Sequence, residues 1–80
     1  MSLTFIAKDP NTNGTQCPTV WVDQPREELV IQGWKAGADL LDECLMVGPI
    51  PGTEAVIRIP FRMIPDIRKA LDVAERQGVC

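Results

Sequence analysis

Residues 19–34 decide the fold, and they read TVWVDQPREELVIQGW. Residues 19–23 and 28–34 are rich in β-branched and aromatic side chains, which favour strands. The four residues between them, QPRE at 24–27, are typical of a turn. Two such runs across a short connection predict an antiparallel hairpin.

The pairing register of this hairpin determines which side chains share a face. If Asp23 lies opposite Glu28, one face is wholly aliphatic and the other combines tryptophans with polar groups. The aliphatic face then holds Val20, Val22, Leu29 and Ile31, and the mixed face holds Thr19, Trp21, Asp23, Glu28, Val30, Gln32 and Trp34. A slip of one residue would mix the two sets, so the clean separation favours the first register.

The mixed face is a candidate contact surface, because aromatic side chains anchor many protein interfaces. The candidate interface residues are Trp21, Val30, Gln32 and Trp34. In the alternative interpretation, both tryptophans pack in the core against a helix. The sequence leaves these two interpretations open.

Outside the hairpin, strands are expected near residues 3–7 and 54–60, and a helix near 65–77. Pro65 suits the first helical position, and Gly78 suits the helix end. The helix should bury one apolar stripe, formed by Ile64, Ile67, Leu71 and Ala74. The order of elements predicts a single α+β domain over residues 1–80, with a small antiparallel β-sheet packed by the C-terminal helix.

Residues 39–45 place apolar side chains at helical spacing and predict one or two helical turns, with Asp39 as the N-cap. A strand at 45–47 is the alternative. Asp39, Asp42 and Glu43 form an acidic cluster on this segment. Carboxylates at this spacing can share a metal ion or act as acid and base, but a solvated helix face is the simpler interpretation.

Composition narrows the possible functions. The chain has eight basic and eleven acidic residues, a net charge of −3, and no histidine or tyrosine. Without histidine, Ser–His and Cys–His nucleophile pairs cannot be built, so we expect a protein that is not an enzyme and carries no cofactor. Residues 1–8 lack the pattern of a signal peptide, and no apolar run approaches the roughly 20 residues of a membrane span. We therefore expect a cytoplasmic protein without membrane association.

The cysteines are Cys17, Cys44 and Cys80. They are too scattered for a zinc site in a chain without histidine, so no metal is expected. Reduced thiols in the cytosol are the simplest interpretation, and one disulfide is the alternative. Cys17, which precedes Pro18 in a polar loop, is the candidate for a reactive thiol.

Positive charge is concentrated near the C-terminus, since residues 58–80 carry five of the eight basic side chains. The candidate basic patch consists of Arg58, Arg62, Arg68 and Lys69. Such a patch can contact phosphate, but the chain is acidic overall, so direct nucleic-acid binding is not expected.

Several phrases of the sequence resemble a known group of proteins. They are KDP at 8–10, PTVWVD at 18–23, VIQGWK at 30–35 and GPIPGTEAVIRIPFRMIP at 48–65. These phrases are similar to small actinobacterial companion proteins of helix-turn-helix transcription regulators, of the WhiJ- and BldB-associated type. The resemblance implies a regulatory role with a transcription regulator as protein partner, and it carries no catalytic residues.

Together, these observations predict a small regulatory protein that acts by protein–protein contact. A core of this size is marginal by itself, so a homodimer is expected. The alternative is a small enzyme or ligand carrier that uses Cys17 or the acidic cluster of residues 39–43. A third possibility is a purely structural subunit.

Overall fold

The computed structural model describes residues 3–10 and 17–78. Its elements in chain order are β1 (Leu3–Lys8), β2 (Thr19–Asp23), β3 (Glu28–Gln32), β4 (Trp34–Lys35), α1 (Ala38–Leu45), β5 (Ile57–Arg58), a 3₁₀ turn (Phe61–Met63) and α2 (Ile64–Gly78). One antiparallel sheet has the order β1-β2-β3, and β4 and β5 form a second, two-stranded sheet. Because α2 packs on the larger sheet, the fold is α+β, as the sequence predicts.

The hairpin register is confirmed. Asp23 lies opposite Glu28, Val22 opposite Leu29 and Trp21 opposite Val30. The backbone N–H of Glu27 donates to the carbonyl oxygen of Gln24 at 3.2 Å and closes the turn. The aliphatic face of the hairpin points to α2, and the mixed face points away from it.

Glu27 occupies the left-handed backbone region with φ 56°, which costs a residue with a side chain about 1 kcal/mol. Glu27→Gly should therefore stabilise the chain by about 0.5–1 kcal/mol, since part of the relief is offset by the flexibility of glycine in the unfolded state. We expect a melting temperature roughly 4 °C higher by circular dichroism. Arg26→Gly is the control, because Arg26 lacks a positive φ, and it should lower the melting temperature. A lower melting temperature for Glu27→Gly would contradict this account of the turn.

β1 pairs with the other edge of β2 and contains a β-bulge. Phe5 lies opposite Trp21, and Ala7 lies opposite Val20, so Ile6 is an extra residue in the ladder. Ile6 packs against the core. Phe5 and Ile6 lie on opposite faces by ordinary alternation. The bulge shifts the following residues by one position, so Ala7 lies opposite the buried Val20 and Lys8 lies on the same face as Phe5.

The core lies between the larger sheet and α2. Four fully buried side chains form its centre: Val20, Val22, Met63 and Ala70. Partly buried apolar side chains surround them: Ile6, Ile31, Ile59, Ile67, Val73 and Ala74. The aliphatic hairpin face therefore supplies the sheet side of the core.

The apolar stripe predicted for α2 is confirmed at Ile67 and Ala74, which pack against the core, and wrong at Ile64 and Leu71. Ile64 and Leu71 are 41% and 42% exposed, whereas Met63 and Ala70 are fully buried. Ile67 belongs to both stripes and is half-buried. The small side chain of Ala70 allows the helix backbone to lie close to the sheet, and the larger Leu71 is then displaced to the side.

Two predicted strands are shorter than expected. The strand expected at 28–34 ends at Gln32, and only Ile57–Arg58 of the expected 54–60 is a strand. The chain changes from one sheet to the other at Gly33, where a Cβ atom would lie 2.5 Å from the carbonyl oxygen of Arg58. The backbone of β5 can approach this closely only because Gly33 has no side chain.

Gly33→Ala is expected to separate β4 from β5, because the backbone oxygen of Arg58 cannot move as a flexible side chain can. We expect a loss of about 1–3 kcal/mol in the free energy of unfolding, as for other overpacked sites. Gly52→Ala is the matched control, since a Cβ there would have no atom within 4 Å and Gly52 lies outside the helices and strands. Equal urea midpoints for the two variants would contradict the close approach.

The helices are otherwise near their expected positions. The helix expected at 39–45 is α1, but its N-cap is Gly37 rather than Asp39. The helix continues through Leu45, so the alternative strand at 45–47 is wrong. The C-terminal helix begins at Ile64, one residue before the expected start, because the preceding 3₁₀ turn leads directly into it.

Candidate functional site

The face of the larger sheet that points away from α2 carries three rows of side chains. Phe5, Trp21 and Val30 lie opposite one another across β1, β2 and β3, and they form an apolar middle row. Opposite residues on neighbouring strands are about 5 Å apart and contact each other. We call Leu3 and this middle row the outer face.

The outer face is exposed to solvent along β1 and half-buried on β2 and β3. Phe5 is 58% exposed and Leu3 45% exposed, while Trp21 and Val30 are half-buried. Two exposed apolar side chains beside a half-buried tryptophan form a contiguous apolar surface. Such a surface on a small protein marks an interaction site more often than isolated exposed residues do.

Polar rows border the middle row on both sides. Near the turn, Asp23 lies between Leu3 and Glu28. At the other end, Thr19 lies between Lys8 and Gln32. Thr19 itself is buried, at 2% exposure, whereas Lys8, Gln32 and Glu28 are exposed. An apolar centre bordered by such exposed polar side chains has the composition of an interface core and its rim.

The structure places the four predicted interface residues in two separate locations. Trp21 and Val30 lie in the middle row, and Gln32 lies in the polar row beyond it. Trp34, which was expected to continue this face, belongs instead to β4 and lies opposite Arg58 in the second sheet. Sequence reasoning missed Phe5, because the hairpin argument says nothing about the register of β1.

Trp34 lines a cleft where the two sheets meet. The guanidinium carbon of Arg58 lies 5.6 Å from the centre of the Trp34 ring, and Arg58 Nε donates to the carbonyl oxygen of Lys35 at 3.4 Å. The cleft has a volume of about 590 Å³, and Gln32, Gly33 and the segment 17–18 complete its lining.

The candidate basic patch divides into residues with different contacts. Arg62 lies on the 3₁₀ turn and binds Asp9 through two nitrogens: Nε donates to Oδ1 at 2.9 Å, and Nη2 donates to Oδ2 at 2.6 Å. Arg58 stacks on Trp34. Arg68 and Lys69 lie exposed on α2.

Asp9 is almost fully buried, at 1% exposure. Its backbone N–H donates to the carbonyl oxygen of Pro18 at 2.8 Å, which joins the end of β1 to the start of β2. The hydrogen bond with Asp9 raises the pKa of the Arg62 guanidinium above its ordinary value. The ion pair therefore connects both strands to the beginning of α2 and has a structural role.

The candidate thiol Cys17 is buried. Its carbonyl oxygen accepts hydrogen bonds from Thr19 Oγ1 at 2.8 Å and from Gln32 Nε2 at 3.0 Å. Cys44 is half-buried on α1, and Cys80 lies outside the described residues. Cys17 is 6% exposed and borders the cleft lined by Trp34.

The acidic cluster is a solvent-exposed surface of α1. Asp39, Asp42 and Glu43 are all exposed. Within residues 3–10 and 17–78, no group of three cysteine, histidine, aspartate or glutamate side chains is placed to hold a metal ion. In the same part of the chain, no helix is both long enough and apolar enough to cross a membrane.

The fold and its surfaces define the chain as a small α+β protein with one apolar sheet face exposed. No family model matches the chain, and no match was found among curated proteins or solved structures. The outer face and the cleft are therefore the features from which a function can be proposed.

Proposed function

We propose that this chain is a non-enzymatic regulatory protein that acts by protein–protein contact through the outer face. The observation that supports this most strongly is the row of Phe5, Trp21 and Val30, which crosses all three strands on the side opposite α2. Burial of the exposed part of Phe5 against a partner would remove a large apolar surface from water. A cytoplasmic location, expected from the sequence, is part of the proposal.

We propose a second copy of the chain as the first partner. A two-fold axis along the middle row would stack this row on its counterpart, as in an isologous interface. The same axis would place the row of Asp23 and Glu28 against Lys8 and Gln32 of the other copy, the exposed residues on either side of the buried Thr19. The carboxylates of the two copies would then not face each other, which avoids repulsion between like charges.

Sedimentation equilibrium at micromolar concentration tests this assembly. We expect the wild type to have roughly twice the 8.8 kDa mass of the chain. Phe5→Ser should weaken association by about 2 kcal/mol, or about thirtyfold, as at an interface hot spot. Because Phe5 is exposed in the single chain, the variant should keep its circular dichroism spectrum.

Phe61→Ser is the matched control. Phe61 is 88% exposed and lies on the 3₁₀ turn, away from the outer face. This variant makes the same chemical change and should leave association unaltered. A monomeric wild type at these concentrations, or equal weakening in both variants, would contradict the proposed assembly.

We propose a helix-turn-helix transcription regulator as the regulatory partner, and this part of the proposal rests on the sequence resemblance alone. The chain has a net charge of −3, so it would act on the regulator rather than on DNA. Calorimetric titration with the regulator encoded nearest to its gene tests the idea. We expect saturable binding that Phe5→Ser weakens and Phe61→Ser does not, and an absence of heat of binding would contradict it.

A further inference from the structure

We infer that the groove beside α1 binds an amphipathic helix of a partner protein that carries lysine or arginine around its apolar side chains. The groove lies between α1, the connector of residues 48–56 and the sheet of β4 and β5. Ile31 lines it, whereas the adjacent Val30 belongs to the outer face, and consecutive strand residues point to opposite sides of a sheet. The groove is therefore a surface separate from the one proposed for self-association.

The groove has a volume of about 500 Å³ and is lined mainly by apolar side chains. Leu41, Ile50 and Val56 lie around it and are only half-buried, and Ile57 is 37% exposed. These side chains surround an open space instead of packing tightly on one another. Apolar side chains of a partner that enter this space would remove the exposed parts from water.

The walls of the groove are formed before a partner binds. Ile50 lies between two prolines, which restrict the backbone around it. The backbone N–H of Glu54 donates to the carbonyl oxygen of Pro51 at 2.9 Å, and that of Ala36 donates to the carbonyl oxygen of Val56 at 3.2 Å. Binding to such a preformed groove requires little further ordering of the chain.

The apolar surface continues along α1 beyond the groove. Leu45 follows Leu41 by one helical turn and so lies on the same side of the helix, and it is 51% exposed. Met46 and Val47 come next and are 85% and 94% exposed. Their backbone N–H groups donate to carbonyl oxygens of the last turn of α1 at 3.2 and 3.0 Å, so the folded turn itself presents them to solvent. A run of exposed apolar residues of this kind is typical of a contact surface.

A helix is the element that matches this surface. Leu41 and Leu45 are separated by one turn, about 6 Å along the axis of α1. A second helix presents its own apolar side chains at the same interval, and the side chains of two packed helices interdigitate. An amphipathic helix in an apolar groove is a common mode of recognition between proteins.

The charge around the groove favours a basic partner. Segment 34–57 has four acidic residues and one basic residue. Lys35 and Glu54 both line the groove, and Asp42 lies beside the exposed Leu45, since residues three apart are neighbours on a helix. The two ion pairs among the described residues involve other carboxylates. In that part of the chain, Asp42 and Glu54 are therefore available to lysine or arginine of a partner, and the same carboxylates repel an anionic lipid surface.

Fluorescence anisotropy with two labelled synthetic peptides measures this binding. Both peptides are designed as helices with leucine on one face, and the other face carries lysine in one peptide and glutamate in the other. We expect the lysine peptide to bind the full chain saturably at roughly micromolar concentration. The glutamate peptide should bind at least about tenfold more weakly.

Matched variants locate the binding site. Leu45→Ser should weaken the binding of the lysine peptide about tenfold, whereas Leu71→Ser should leave it unchanged, because Leu71 is similarly exposed, at 42%, but lies on α2. Glu54→Gln should weaken binding about threefold. Glu75→Gln, which makes the same change at an exposed position of α2, should not affect it.

Phe5→Ser separates the groove from the outer face, since it should bind the lysine peptide as tightly as the wild type whether or not the copies associate. A basic helix in the groove is contradicted by the absence of saturable binding, by equal binding of the two peptides, or by equal affinities of Leu45→Ser and Leu71→Ser. Loss of self-association in Leu45→Ser would assign the groove to a second copy and overturn the inference. Sedimentation of the chain with phosphatidylserine vesicles that Leu45→Ser abolishes would assign it to a membrane surface and overturn it too.

Discussion

Arg62→Met is expected to lower the urea midpoint of the chain at neutral pH. The variant removes the guanidinium from Asp9, whose side chain has no solvent exposure, although 41% of the Arg62 side chain is exposed. Loss of this contact weakens the compensation of a buried carboxylate, which destabilises the folded state. A domain of this size is stable by only about 3–5 kcal/mol, so even part of this contribution should be measurable.

The contact also determines how the wild type responds to alkaline pH. Hydrogen bonding to Asp9 raises the pKa of Arg62 above its ordinary value, so the guanidinium keeps its charge and its stabilising contribution until strongly alkaline pH. We therefore expect the difference in urea midpoint between the wild type and Arg62→Met to stay the same as the pH rises from 7 to about 10.

Arg68→Met controls for the loss of one positive charge and the gain of one methionine. Arg68 is exposed on α2, so this variant should unfold at nearly the same urea concentration as the wild type. Equal stability of the Arg62 and Arg68 variants at neutral pH would show that the contact between Arg62 and Asp9 is not structurally important.

Met63→Ala is expected to lower the free energy of unfolding by about 2–5 kcal/mol, because truncation of a fully buried side chain leaves a cavity. Met63 has 0% exposure and packs with Val20, Val22 and Ala70. Urea denaturation followed by circular dichroism measures this loss.

Leu71→Ala makes a comparable truncation on the flank of the same helix and provides the comparison. Leu71 is 42% exposed, so we expect a loss of less than about 1 kcal/mol. A larger loss for Leu71→Ala than for Met63→Ala would show that Leu71 rather than Met63 faces the core. It would contradict the observed packing.

The register of the hairpin could be predicted because one face is wholly aliphatic and the other mixes tryptophan with polar side chains. With Asp23 opposite Glu28, every aliphatic residue of the pair falls on one side, and a shift by one residue destroys this separation. The register is therefore encoded locally, in a side-chain alternation of period two. The assignment of Val20 and Val22 to the core followed from the same argument.

The phase of α2 could not be predicted in this way. Met63 and Ala70 are apolar, and so are Ile64 and Leu71. Both pairs form a good stripe with Ile67, so periodicity does not distinguish them. The choice depends on how the helix packs on the sheet, where the small Ala70 is fully buried and the larger Leu71 is not, and that packing involves segments distant in the sequence.

The candidate site was predictable only where it depended on the hairpin. Trp21 and Val30 lie on the outer face because the register places them there. Phe5 lies beside them because β1 pairs with β2. Trp34 lies in the second sheet because the chain changes sheets at Gly33, where the backbone of Arg58 approaches closely. Both effects arise between segments that are distant in the sequence.

The ion pair of Asp9 with Arg62 shows the same limitation, since 53 positions separate its members. An aspartate before a proline is typical of an exposed turn, and nothing in the local sequence indicates that this one is buried. Its burial follows from the meeting of β1, β2 and the 3₁₀ turn, which is a property of the complete fold.

The fluorescence of Trp21 tests most directly whether the outer face is an interface. In the Trp34→Phe variant, Trp21 is the single tryptophan of the chain. We expect its emission to shift to longer wavelength as dilution separates the copies and admits water, and Phe5→Ser in the same background should show the longer wavelength at every concentration. An emission spectrum that stays unchanged while the mass falls to that of one chain would show that the copies associate elsewhere and would contradict the account.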